Sequence, residues 1–130
     1  MKNDTGAPAA NALRGLLAVI FGVVVVYTAV VVSNHGVGLL PIFFGDITEM
    51  GWPGQFNVDF LGFLTLSALW LAWRHHFSLG GAALAVAGFF GGVPVLTMYL
   101  LVVSFRAGGD VRVMLLGERR AAGWPGKVRR

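Results

Sequence analysis

Few residues in this 130-residue chain could do chemistry, and the informative ones are acids. Asp46, Glu49 and Asp59 fall in the stretch Ser33–Asp59, which contains no Lys or Arg. Asp59 lies inside an apolar run, between Val58 and Phe60. A carboxylate within a membrane segment is costly and is a functional candidate by default. Two readings compete. Close to a helix start, Asp59 would favour the positive end of the helix dipole, with Asn57 as a cap. Alternatively Asp46, Glu49 and Asp59 cluster at one mouth of a helix bundle. Burial there would raise a carboxyl pKa and make it a proton donor, or the group would pair with a cation. Asp46 and Glu49 are three apart and would share one face of a short helix over 42–50. The loop offers no basic partner, so a partner must come from the tail, a ligand or another subunit.

The histidines carry less. His35 follows the first apolar run and His75-His76 follow the second. Consecutive spanning helices are antiparallel, so His35 and His75 belong at opposite faces, about 30 Å apart. One chain cannot clamp a haem iron between them, and adjacent histidines on a helix point apart. They read as interfacial residues in the basic turn Arg74-His75-His76. There is no cysteine, which excludes disulfides and thiolate metal sites. Walker A, HExxH, GxSxG and dinucleotide-glycine patterns are absent. Ser33, Ser67, Ser78 and Ser104 have no triad partners. No metal or cofactor is expected, while a bound lipid, quinone or pigment stays open. A three-helix bundle is also expected to enclose too little space for a private cavity, against the ~300 Å³ or more of small-molecule pockets.

The elements that must hold these residues follow from composition. Hydrophobic residues make up 56% and charged residues 12%, with a mean hydropathy of +0.74. A small soluble domain cannot bury that much apolar surface, so the chain reads as a membrane protein. Three runs approach the length of ~20 apolar residues that a spanning helix needs. They are 16–32, 56–73 and 79–105, and the first reads as an uncleaved helix rather than a signal peptide. The expected organisation is a polar segment over 1–15, an all-α domain of three transmembrane helices over 16–105, and a basic tail over 106–130. Gly36–Gln55, with Pro41 in its short apolar part, reads as an interfacial or re-entrant segment. The third run is too long for a ~30 Å core and must tilt or kink, with Gly91-Gly92-Val93-Pro94 supplying a proline kink.

Trp52, Trp70, Trp73 and Arg74 are placed as interface anchors. Gly-Trp-Pro-Gly, at 51–54 and again at 123–126, reads as a turn in both places. Ala83, Ala87 and Gly91 are spaced by four, as are Gly88 and Gly92, a small-residue ladder that lets helices approach closely. It would pack either within the bundle or against another subunit. In the tail, residues 110–120 suit a short amphipathic helix with Met114 and Leu115 toward lipid, and Arg112, Arg119 and Arg120 toward headgroups. The last ten residues, 121–130, read as mobile. Seven of the ten Lys and Arg lie in Arg106–Arg130, and their place beside a membrane segment argues against nucleic-acid binding. Orientation is contested. Lys2 and Arg14 favour a cytoplasmic N-terminus, yet three crossings would then export the basic tail. The larger charge excess favours a cytoplasmic C-terminus.

Ile42-Phe43-Phe44-Gly45-Asp46, Phe56-Asn57-Val58-Asp59-Phe60, Arg74-His75-His76, Gly91-Gly92-Val93-Pro94 and Tyr99-Leu100 occur in that order. Over residues 42–101 the chain thereby resembles a family of small bacterial multi-pass membrane proteins classed as a domain of unknown function. The resemblance implies an inner-membrane helical architecture and no activity. The expected role is a non-enzymatic accessory or structural subunit, in contact with lipid and with other membrane subunits or further copies of itself. The alternative is a membrane enzyme or carrier that uses Asp46, Glu49 and Asp59 on a lipid-soluble substrate.

Overall fold

The structure, a computed structural model, describes residues 6–125. Among these, 85% are helical and none is in a strand. Six helices follow in order: α1 (Gly6–His35), α2 (Leu39–Thr48), α3 (Trp52–Arg74), α4 (Leu79–Arg106), α5 (Val111–Leu116) and α6 (Glu118–Ala122). Three of them, α1, α3 and α4, are long and apolar enough to cross a membrane.

The boundaries differ from expectation for local reasons. α1 starts ten residues before the expected position 16, because Pro8 lies in the first turn, where a missing N–H costs nothing, and alanines follow. The first Gly-Trp-Pro-Gly is a helix start rather than a turn: Gly51 is the N-cap of α3 and Pro53 lies in its first turn. Pro41 likewise sits in the first turn of α2, which packs on α3. Gly54 makes that contact close, since a Cβ there would collide with the Asp46 carbonyl. Residue 126 of the second Gly-Trp-Pro-Gly, the expected mobile end beyond 125, and Lys2 lie outside the described residues.

α4 is not a straight rod. Gly92 departs from helical geometry with φ 61° and ψ −145°, and there the chain turns back on itself. Three contacts require this. A Cβ on Gly81 would lie 2.7 Å from His75 Cβ, while the Tyr99 hydroxyl is 2.6 Å from His75 Nε2. In a continuous helix residues 81 and 99 would be about 27 Å apart, too far to share one histidine. Near the end of α4, Arg14 Nε of α1 donates to Ser104 Oγ at 3.0 Å. The arms 79–91 and 93–106 therefore form a helical hairpin whose two open ends lie at the same end of the bundle. The expected proline kink is corrected here. Gly92 makes the reversal, and Pro94 falls in the first turn of the returning arm, where it has no helical hydrogen bond to lose.

The hairpin lies between α1 and α3. α1 and α3 each pack on α4 rather than on each other. Since the hairpin is only about half as deep as α1 is long, α1 runs past it. From Val25 to its end at His35, every residue of α1 is exposed.

Alanine at 92 would have to adopt a positive φ that side chains rarely tolerate. Gly92→Ala is expected to destabilise the fold by about 1–3 kcal/mol. Gly62, which faces open space in the middle of α3, serves as control: Gly62→Ala is expected to raise stability by about 0.5–1 kcal/mol, since alanine favours a helix interior. Unfolding midpoints in mild detergent compare the two, and equal midpoints would remove the strained reversal.

Candidate functional site

The hairpin brings its open ends against the C-terminal end of α3, and Arg74 organises the junction. Its Nε donates to the Met114 carbonyl at 2.7 Å, and its Nη2 to the Val113 carbonyl at 3.1 Å. Those carbonyls lie in α5, and the Val113 carbonyl also accepts the Gly117 amide at 2.9 Å. Arg74 Nη1 donates to the Tyr99 hydroxyl at 2.8 Å, and that hydroxyl lies 2.6 Å from His75 Nε2. With Arg74 donating to its oxygen, the Tyr99 O–H is free to donate to an unprotonated His75. Partial burial, then the nearby Arg74 and His76 charges, hold the His75 pKa below its ordinary 6.5.

α5 and α6 close over this junction. Asp110 caps α5 by accepting from the Arg112 and Val113 amides. Gly117, at φ 82°, passes close to the Arg74 carbonyl. Arg120 Nη1 donates to the Trp73 carbonyl at 2.6 Å with its guanidinium 3.8 Å above the Trp73 ring, and Trp70 Nε1 donates to the Leu115 carbonyl. The tail thus differs from the single amphipathic helix expected. Gly117 divides it in two, Met114 is buried rather than lipid-facing, Arg120 is held by Trp73, and residues 121–122 complete α6. Trp70 and Trp73 are tail-docking residues, whereas Trp52, at the opposite end of α3, is exposed.

Between the two arms of α4, the end of α3 and the tail lies an open cavity of about 620 Å³. Its lining includes Arg74, His75, His76, Arg106, Arg119 and Tyr99, with Glu118 as the single carboxylate. Leu84 of one arm and Val102 and Val103 of the other supply apolar wall. The cavity is open rather than enclosed, and the folded-back arm and the docked tail supply its walls. All six arginines of the described chain lie at this end of the bundle: Arg14, Arg74, Arg106, Arg112, Arg119 and Arg120.

Asp46, Glu49 and Asp59 lie at the opposite end, on α2, just after it and on α3. Asn57 is not a cap: its Nδ2 donates to the Phe43 carbonyl at 3.1 Å and to Asp46 Oδ2 at 3.3 Å, tying α2 to α3. Glu49 is the residue just after α2. Asp59 is exposed, lies beyond the first turn of α3, and lines an open groove with Gln55 and Val58. Neither Asp46 nor Glu49 contributes to that groove. Asp59 therefore gains nothing from the helix start, whose dipole effect fades within one turn. Among the described residues no group of three His, Asp or Glu could hold a metal ion.

The small residues divide between two faces. Gly81 and Gly88 are buried against α3, where Cβ atoms would meet His75 and Leu71, and Gly92 rests on Phe60 and Leu64. Ala83 and Ala87 are exposed, and Gly91 sits at the corner against Val95. Sequence reasoning missed Tyr99 and the pairing of Arg74 with the tail. The available signal was Gly-Gly followed closely by Pro, a helix stop joined to a helix start. Compared with protein families, with curated proteins and with solved structures, the chain matches none.

Two outcomes are expected. Tyr99→Phe removes a hydroxyl that joins Arg74 to His75 and should lower stability by about 1 kcal/mol. The pH dependence has a definite sign. The folded-state pKa of His75 is below its unfolded value, so on acidification the unfolded chain takes up the proton first. The His75 contribution is complete above about pH 6.5 and is lost as pH falls through and below that value. Unfolding midpoints between pH 8 and pH 5 should fall toward acid, and His75→Gln should flatten the slope.

Proposed function

We propose that this chain is a small integral protein of a bacterial inner membrane that acts as a non-enzymatic accessory or structural subunit. In this reading α1 and α3 cross the bilayer, α4 enters from one face and returns to it, and α2 lies at the opposite interface. The arginine-rich end faces the cytoplasm. That arrangement resolves the conflict between the charges before α1 and those of the tail, since both lie on one side. The resemblance over residues 42–101 bears on this architecture and adds no activity.

The observation that carries the reading is the bare far portion of α1. Spanning helices in multi-pass proteins gain their association from packing on neighbours. Here, among the described residues, Val25–His35 is exposed throughout, and the short hairpin does not reach along it. The exposed Asp59 lies in the corresponding half of α3. Acids at membrane depth ordinarily face a bundle interior or water. A neighbouring subunit packed along Val25–His35 would satisfy both. For the enzyme or carrier alternative, Asp59 lines its groove without Asp46 or Glu49.

A photo-reactive residue placed at 26 or 30, both exposed valines, is expected to give one discrete crosslinked product in native membranes. Asp59→Leu is expected to weaken that product while leaving the unfolding midpoint unchanged or raised. A chain that stays uncrosslinked at both positions, and monomeric without a stoichiometric partner in mild detergent, would overturn the proposal.

A further inference from the structure

We infer that the basic cavity beneath α5 and α6 binds the headgroup of an anionic phospholipid, with an acyl chain directed inward between the two arms of α4. The inference rests on the membrane reading above and adds a ligand to it. Arg74 is committed to the Val113 and Met114 carbonyls and to Tyr99. Arg106 and Arg119 also line the cavity, both exposed, and neither donates to a protein acceptor among the described residues. Guanidinium groups match phosphate oxygens with paired N–H donors. His76 and Ser78 add polar groups to the lining, and Glu118 is its only negative charge.

The apolar part of the cavity selects the source of the phosphate. A soluble phosphate ion would engage the arginines and leave Leu84 and Val102 uncovered. A lipid places its charge among the arginines and its hydrocarbon along those two side chains. The volume, about 620 Å³, falls within the range of roughly 300–1,000 Å³ typical of ligand pockets. The site also lies at the arginine-rich end of the bundle, the end placed here at the cytoplasmic leaflet, where anionic lipids create a negative surface potential. Basic pockets between membrane helices on that side recognise lipid headgroups by the same physics.

The test uses the full chain purified in a neutral detergent. Its unfolding midpoint is measured with added phosphatidylglycerol, with phosphatidylcholine and with inorganic phosphate. Phosphatidylglycerol is expected to raise the midpoint by about 3 °C or more relative to phosphatidylcholine, the direction given by any ligand that binds only the folded state. Inorganic phosphate is expected to leave it unchanged. Arg106→Gln combined with Arg119→Gln should abolish the difference between the two lipids, and the midpoint in phosphatidylcholine reports whether the variant folds. Arg112→Gln removes a charge from the same end but outside this cavity, and should keep the difference. Equal midpoints in the two lipids would overturn the inference. So would a shift reproduced by phosphate alone, a shift retained by the double variant, or an equal loss with Arg112→Gln. Any of these with crosslinking from 26 and 30 intact would remove the lipid site and leave the assembly reading standing.

Discussion

The reversal at Gly92 is the constraint on which the rest depends. A break in a helix at membrane depth exposes backbone groups that lipid cannot satisfy, so irregular backbone is tolerated there only against protein or water. Here the corner rests on the Phe60 and Leu64 side chains of α3. The positive φ at 92 is open to glycine and expensive for anything with a Cβ. Without the reversal, Tyr99 and Ser104 would lie far from His75 and Arg14, and the cavity would have no second apolar wall.

The hairpin must also be held shut, and polar contacts at its open end do this. Arg14 donates to Ser104 Oγ at 3.0 Å and to the Ser104 carbonyl at 3.1 Å, pinning the returning arm to α1. Arg74 pins the same arm to α3 through Tyr99 and carries α5 on its other donors. Each guanidinium adds charge-assisted hydrogen bonds to carbonyls near helix ends, where the Ser104 and Val113 carbonyls also accept the Gly109 and Gly117 amides. Arg120 over Trp73 repeats the device for α6. The tail is thereby part of the fold as far as residue 125, and its charges are gathered where the hairpin opens.

One end of the molecule is therefore well packed and polar, and the other is sparse. Leu71, Val103, Ser104 and Met114, four of its most buried residues, all lie toward the arginine-rich end. At the far end α2 is tied to α3 by Asn57 and Gly54, and α1 stands clear. The lipid site proposed at the packed end and the subunit contact proposed at the open end are compatible, because they use different surfaces.

Composition and run length alone determined that this is a helical chain with three segments apolar enough to enter a membrane, since hydrocarbon admits only backbone that bonds to itself. The clustering of arginine after residue 105 and of acid between 33 and 59 was equally legible, because charge is a property of the chain. The bounds of α4, its Gly-Gly-Val-Pro and the basic turn could be read as well. What those features meant could not. Whether an apolar run crosses or turns back depends on whether its midpoint finds side chains to cover a broken helix, and Phe60 and Leu64 stand some thirty residues before Gly92. The partnership of Arg74 with Tyr99 and α5 has the same origin. Spacing along a chain records which residues share a helix face. Only the tertiary fold decided which of those faces meet, and so turned a conflict of charges into one basic end.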